Sequence, residues 1–102
     1  MDISVQELKE KLDRGDQFLF IDVREPYEFD EFNLGARLVP LGDLTNRIWE
    51  FEDAKDQEVI VHCRSGKRSA MGQMIFQGSG FSNVRNVEGG ILAWIDAFGA
   101  KA

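Results

Sequence analysis

The clearest structural pattern in this chain lies in residues 58–70, EVIVHCRSGKRSA. It begins with an apolar run, passes through the only cysteine of the chain, Cys63, and continues into small and cationic residues. A short apolar run of this kind is typical of a strand that is buried on both faces. Gly66 allows a tight turn, and the residues from Ser69 onward predict a helix. The stretch therefore predicts a strand, a loop and a helix in succession, with the cysteine at the carboxyl end of the strand.

Strands and helices alternate on either side of this unit. In chain order, the patterns predict a helix capped by Ser4 that stops at Gly15, a strand over 17–23, a helix over 24–32, a strand over 37–41, a helix capped by Asp43 that runs to 51, the strand over 58–62, a helix over 69–76, a strand over 82–87 and a helix over 91–98. This alternation predicts a small α/β sandwich with a mainly parallel sheet. Gly89 and Gly90 predict a tight turn that would also bring the chain close to the loop after Cys63.

Length and composition limit the classes of protein to consider. The 102 residues, with 43% hydrophobic and 29% charged side chains, fit one globular domain that spans residues 1–102. A net charge of −6 argues against a general binder of nucleic acid or of anionic membranes, because both would be repelled. A lone cysteine cannot form an internal disulfide, and the first residues lack the features of a secretory signal. No apolar run approaches the roughly 20 residues that a membrane-spanning helix needs. We therefore expect a cytoplasmic protein.

Three cations follow the cysteine within five positions, although the chain as a whole is acidic. They are Arg64, Lys67 and Arg68. Backbone N–H groups in a loop that merges into a helix N-terminus can point inward and form a cradle for negative charge. We expect this cradle and the cations to lower the pKa of Cys63 below its free value of about 8.5. Cys63 is therefore predicted to be a nucleophile for an anionic substrate, whereas an inert core cysteine would not need the surrounding cations.

Other polar residues are predicted to lie at the same edge of the sheet. Asp22 and Arg24 end the first buried strand, and the carboxyl ends of parallel strands meet at one edge. Asp22 would accept hydrogen bonds from the loop or pair with Arg68, and Arg24 would fix the segment that follows it; an ordinary strand-end cap and ion pair explains both residues equally well. His62 precedes Cys63, but adjacent strand residues face opposite sides of a sheet. We expect a hydrogen-bonded structural histidine there, not a base for the thiol.

Several stretches carry a resemblance to a known family, and together they cover nearly the whole chain. The loop HCRSGKRS at 62–69 resembles the active-site loop of single-domain rhodaneses, the thiosulfate-type sulfurtransferases. FIDVREPYEF at 20–29 is similar to the first signature of that family, and Gly35-Ala36 with VPL at 39–41 is similar to the segment after it. VEGGILAW at 87–94 is similar to its closing signature.

The resemblance implies a rhodanese-like three-layer sandwich and a persulfide mechanism. The Cys63 thiolate would attack the outer sulfur of a donor such as thiosulfate, release sulfite, and hold the sulfur until cyanide, a thiol or a sulfur-accepting protein removes it. The substrate would be bound by the rest of the loop, Arg64, Ser65, Gly66, Lys67 and Arg68. No metal or organic cofactor is implied. The family commonly has a histidine close to the position of Gly35-Ala36, and this chain has Phe32-Asn33-Leu34 there.

Two alternatives stay open at this point. Cysteine phosphatases also place an arginine and a serine or threonine after His-Cys, but with five intervening residues, whereas four separate Cys63 from Arg68. A phosphatase would also need a general acid, for which Asp30 or Asp43 could be nominated. The other alternative is a sulfur carrier or docking module without turnover; the inactive members of the family typically lack the loop cysteine.

Overall fold

A computed structural model describes residues 1–100 of the chain. Its elements, in chain order, are α1 (Val5–Arg14), β1 (Leu19–Asp22), α2 (Pro26–Glu31), β2 (Arg37–Leu38), α3 (Leu41–Arg47), a 3₁₀ helix (Ile48–Ala54), β3 (Glu58–His62), α4 (Lys67–Gly78), β4 (Asn83–Asn86) and α5 (Gly90–Phe98). The predicted order of helices and strands is confirmed. Across this part of the chain, no helix combines the length and the apolar character that crossing a bilayer requires.

The four strands form one sheet in the order β2-β1-β3-β4, and every strand pair is parallel. Residues on neighbouring strands lie in a fixed register, in which Asp22 at the end of β1 pairs with His62 at the end of β3. Cys63 directly follows His62. The predicted meeting of these strand ends at one edge of the sheet is therefore confirmed.

Two helices begin earlier than the sequence patterns predicted. The helix α3 starts at Leu41, because the carbonyl of Pro40 accepts a hydrogen bond from the N–H of Asp43 and closes the first turn ahead of that residue. The helix α4 starts at Lys67, directly after Gly66, whose φ of +104° lies in the left-handed region. The loop between β3 and α4 is thus only four residues long, and Ser69 lies in the first turn of the helix.

Helices cover both faces of the sheet, which confirms the three-layer sandwich. On one face, α3, the 3₁₀ helix and α4 pack against the sheet through buried residues such as Leu44 and Phe76. On the other face, α1 and α5 contribute Leu8 and Trp94 to a second buried cluster. The sheet therefore has a hydrophobic core on each side, and its carboxyl edge is held rigidly between them.

The first testable prediction concerns the core on the α4 side. Phe76 is fully buried and packs edge-on against Phe81, with ring centroids 4.9 Å apart. Phe76→Ala leaves a large cavity, so we expect the free energy of unfolding to fall by about 3–5 kcal/mol. Met74 lies on the same helix but is 69% exposed, and we expect Met74→Ala to change the free energy of unfolding by less than about 0.5 kcal/mol. Urea unfolding checks both values, and equal losses in the two variants would contradict this packing.

Candidate active site

The sulfur of Cys63 lies at the centre of the loop between β3 and α4, and the loop's donors point toward it. The backbone N–H groups of Gly66 and Ser69 donate to Sγ at 3.1 and 3.3 Å. The left-handed conformation at Gly66 turns the chain so that these groups converge. The cradle that the sequence predicted is therefore present, and it is built from backbone donors at the start of α4.

These hydrogen bonds control the acidity of the thiol. Burial raises the pKa of Cys63, which is only 1% exposed, because a charge is poorly solvated there. Hydrogen bonds from the Ser69 hydroxyl and from the N–H groups of Ser69, Gly66 and Ser65 outweigh burial, so the pKa lies below its ordinary value. The main causes that lower it are hydrogen bonds, whereas the sequence predicted a joint effect of the cradle and the three cations.

The three cations have different surroundings. Arg68 is held by Glu28, with Nη1 2.7 Å from Oε1 and Nη2 2.8 Å from Oε2. The hydrogen bonds from Arg68 lower the pKa of Glu28 to about 2. Arg64 and Lys67 are exposed, and within residues 1–100 neither takes part in an ion pair. These two side chains are therefore the cations of the loop that are available to an anionic substrate.

Of the two interpretations of Asp22, the contact with the loop is wrong, and the ordinary strand-end ion pair with Arg24 is the one that is found. Both carboxylate oxygens of Asp22 accept hydrogen bonds from Arg24, including Arg24 Nη2 to Oδ2 at 2.8 Å, and Arg68 pairs with Glu28 instead. The physical reason is the alternation of side chains along β1. Asp22 shares a sheet face with His62, while the neighbouring Ile21 and Val23 face the side on which Cys63 packs.

Arg24 does fix the segment that follows it, as the sequence predicted. Its guanidinium donates to the carbonyl oxygens of Glu28 at 3.4 Å and Phe32 at 2.8 Å. These two carbonyls belong to α2 and to the residue that ends it. Since α2 carries Glu28, the buried pair of Asp22 and Arg24 positions the carboxylate that holds Arg68. The influence of Asp22 on the loop is therefore indirect.

His62 faces away from the thiol, as predicted. Its ring is buried and packs against Phe20, with centroids 5.3 Å apart, on the opposite face of the sheet from Cys63. Burial lowers the pKa of His62 to about 4, so the imidazole is neutral at pH 7. The hydrogen bonds expected for His62 are absent, since within the described chain neither ring nitrogen has a hydrogen-bond partner. The carboxylate oxygen Oδ2 of Asp22 lies 3.6 Å from Nε2, which is too far for a hydrogen bond. Since this is the chain's only histidine, the thiol has no imidazole base of its own.

Two residues of the site were missed by the sequence analysis. The hydroxyl of Ser69 lies 3.3 Å from Sγ and also within hydrogen-bond distance of Asn86 Oδ1, and its single proton is donated to one of these two acceptors at a time. The amide of Asn86 donates in turn to the carbonyl of Gly66 at 3.0 Å, which fixes the turn of the loop. Ser69 could have been found from its place one turn into the helix, and Asn86 from its place at the carboxyl end of β4.

The start of α5 closes the loop from the other side. The N–H groups of Ile91 and Leu92 donate to the carbonyl oxygens of Cys63 and Arg64, both at 3.0 Å. A side chain at Gly90 would clash with the Cys63 carbonyl, so only glycine permits this approach. The predicted closeness of the glycine pair to the loop is confirmed. By drawing these carbonyls toward α5, the contact leaves the loop's N–H groups free to face Sγ.

Comparison with known proteins agrees with this site. The family model for the rhodanese-like domain matches residues 4–97, and the chain belongs to that family. A putative sulfurtransferase of Bacillus subtilis, YtwF, is 36% identical over 91% of this chain and 88% of its own length. A probable adenylyltransferase/sulfurtransferase of Mycobacterium tuberculosis, MoeZ, is 33% identical over 90% of this chain, which spans only 24% of that relative. A rhodanese-related protein of Thermoplasma volcanium has a TM-score of 0.83 at 28% identity, over 95% of this chain and 92% of its own. Sulfur transfer is the chemistry that the names of the two relatives share.

The second prediction concerns the Ser69 hydroxyl. Ser69→Ala removes a donor to the thiolate, so we expect the pKa of Cys63 to rise. Ser65→Ala is the matched control, because Ser65 contributes through its backbone N–H, which the substitution keeps. Thiolate absorbance in the ultraviolet measures both, with Cys63→Ser as the blank. An unchanged pKa in Ser69→Ala would show that the hydroxyl does not serve the sulfur.

The third prediction concerns the ion pair of Glu28 and Arg68. The pKa of Glu28 falls from 4.5 to about 2 on folding, so the pair stabilises the fold above pH 4.5 and this stabilisation is lost as the pH falls toward 2. We expect Glu28→Gln to be less stable than the native chain at pH 7, with the difference shrinking below pH 4.5. Urea unfolding against pH measures it.

The exposed Glu31 lies on the same helix and, within residues 1–100, takes part in no ion pair. Glu31→Gln is therefore the control, and its stability should follow that of the native chain across this pH range. A Glu28→Gln difference that stays constant with pH would contradict the prediction.

Proposed function

We propose that this chain is a sulfurtransferase that carries sulfane sulfur as a persulfide on Cys63. The observation that carries the proposal is the set of N–H and O–H donors that converge on Sγ. Such a set stabilises negative charge on Sγ before sulfur is added to it and again when that sulfur leaves. The membership of the family and the names of the relatives support the same chemistry.

In the first half-reaction, the Cys63 thiolate attacks the outer sulfur of an anionic donor such as thiosulfate. A bond forms between Sγ and that sulfur, the sulfur–sulfur bond of the donor breaks, and its electron pair leaves with sulfite. The charges balance, because a thiolate and a thiosulfate dianion become a deprotonated persulfide and a sulfite dianion. Arg64 and Lys67 attract the donor and offset the charge of the departing sulfite.

In the second half-reaction, an acceptor nucleophile attacks the outer sulfur of the persulfide. With cyanide, a carbon–sulfur bond forms, the persulfide bond breaks, and its electron pair returns to Cys63 as the thiolate while thiocyanate leaves. A thiol, or a protein that presents one, is the other class of acceptor. The donors of Ser65, Gly66 and Ser69 serve both states, because Sγ regains its charge when the sulfur departs.

The geometry disfavours a phosphatase. Both outer nitrogens of Arg68 are bound to Glu28, so its guanidinium is not free to hold a phosphoryl group. Asp30 and Asp43 are exposed on α2 and α3, and within residues 1–100 the side chain of neither accepts a hydrogen bond that would aim it at the loop. A docking module without turnover would not need donors arranged around a thiol of lowered pKa. A reducing compartment such as the cytoplasm suits an unprotected thiolate.

The fourth prediction tests the proposed function. We expect the mass of the reduced protein to rise by one sulfur atom after incubation with thiosulfate or polysulfide and removal of the donor. Cyanide should remove that sulfur and release thiocyanate, and Cys63→Ser should gain nothing. Intact mass spectrometry measures each state. A protein with a free Cys63 that takes up sulfur from neither donor would contradict the proposal.

A further inference from the structure

We propose that Glu28 is a specificity-determining residue, which limits the binding of unreactive oxyanions such as phosphate and sulfate by keeping the guanidinium of Arg68 occupied. The observation that carries this inference is the pair of hydrogen bonds between the two side chains, at 2.7 and 2.8 Å. The inference rests on the proposed function, because it concerns how the site distinguishes a sulfur donor from anions that carry no transferable sulfur.

Arg68 lies close to the reactive sulfur. It belongs to the first turn of α4 and precedes Ser69, whose N–H and hydroxyl are both 3.3 Å from Sγ. A guanidinium binds two oxygens of a carboxylate, sulfate or phosphate group through parallel hydrogen bonds. Glu28 supplies two oxygens of this kind from within the protein. Its carboxylate therefore takes the place that two oxygens of a bound oxyanion would otherwise take.

Three further contacts hold Glu28 in position against Arg68. The N–H of Glu25 donates to Glu28 Oε1 at 3.0 Å, in the capping box that starts α2. Arg24 donates to the backbone carbonyl oxygens of Glu28 and Phe32 and so anchors the helix. Hydrogen bonds from Arg68 lower the pKa of Glu28 to about 2, so the carboxylate is charged at neutral pH. An anion that competes for Arg68 must therefore displace a charged group that is already in place.

The need for this restraint follows from the likeness of the anions. Thiosulfate and sulfate are both tetrahedral dianions, and they differ in one atom, the outer sulfur. A hydrogen bond to their oxygen atoms stabilises the donor and the unreactive anion alike, so it adds no specificity. A free Arg68 would bind those oxygens. With Arg68 occupied, Arg64 and Lys67, which are exposed and take part in no ion pair within residues 1–100, remain to attract the donor.

The experiment compares the binding of inorganic phosphate to variants of the ion pair. Phosphate is titrated at constant ionic strength, and its dissociation constant is read from the amide NMR signals of Gly66 and Ser69, which requires no sulfur transfer. Glu28→Gln removes the carboxylate charge, and Glu28→Ala also removes the side-chain oxygen that could still accept from Arg68. We expect both variants to bind phosphate about tenfold more tightly than the native chain, because Arg68 becomes free to bind it through two hydrogen bonds.

Control variants separate the release of Arg68 from other effects. Arg68→Gln breaks the same ion pair without releasing a cation, so a purely structural effect of breaking the pair would appear in it too; we expect no tighter binding. The double variant Glu28→Gln with Arg68→Gln keeps the native net charge and should bind phosphate as weakly as the native chain. Glu31→Gln removes one exposed negative charge from α2, and we expect it to tighten binding by less than about twofold.

Sulfur transfer should show the same difference between the variants. Persulfide formation from thiosulfate is followed by rapid quenching and intact mass spectrometry while phosphate is added. We expect the phosphate concentration that halves the rate to be about tenfold lower in Glu28→Gln than in the native chain, because phosphate then competes for the same cation. The double variant with Arg68→Gln should resist phosphate as the native chain does.

The outcomes distinguish this inference from the proposed function. If neither Glu28→Gln nor Glu28→Ala binds phosphate more tightly than the native chain, Glu28 does not limit oxyanion binding, and the inference is overturned while the sulfurtransferase stands. Tight binding in the double variant would also overturn it, because the gain would then not come from Arg68. If the native chain forms no persulfide from any donor, the proposed function itself fails, whatever the phosphate titrations show.

Discussion

The hydrogen bonds to the sulfur of Cys63 are the interaction on which the chemistry that we propose for this protein depends. A buried thiol is normally a weak acid, and here burial does raise the pKa. The donors of Ser65 and Gly66 in the loop, and of Ser69 in the first turn of α4, reverse that effect. Because most of these donors are backbone N–H groups, the stabilisation depends on the path of the chain more than on particular side chains.

The rest of the fold keeps that path in place. Parallel strands bring the ends of β1, β3 and β4 to one edge, and Asn86 at the end of β4 binds both Ser69 and Gly66. The first N–H groups of α5 hold the loop's carbonyls. Arg24 anchors α2, which presents Glu28 to Arg68. Each contact restrains a different side of the loop, so the donors are already in position before any substrate arrives.

The sequence was sufficient to predict the alternating fold, the edge of the sheet and the position of Cys63 at that edge, because all three follow from local patterns. It predicted the close approach at Gly89 and Gly90 for the same reason. It did not predict the partner of Arg68, because Glu28 lies 40 residues away and only the packing of α2 brings it near. The error over Asp22 has a related cause, since the strand end was right but the face of the sheet was not considered. Asn86 was missed because an asparagine at a strand end looks like an ordinary turn residue.

Hydrogen bonds, and not the free cations, hold the Cys63 thiolate, whereas we propose that the cations act on the substrate. The most direct test is the pKa of Cys63 in a double variant, Arg64→Gln with Lys67→Gln, which leaves Arg68 in its ion pair with Glu28. Thiolate absorbance against pH, with Cys63→Ser as the blank, measures it without any substrate. We expect the pKa of Cys63 in the double variant to stay close to that in the native chain. We also expect the double variant to form the persulfide from thiosulfate more slowly. A pKa that returns to the free-thiol value of about 8.5 would contradict it.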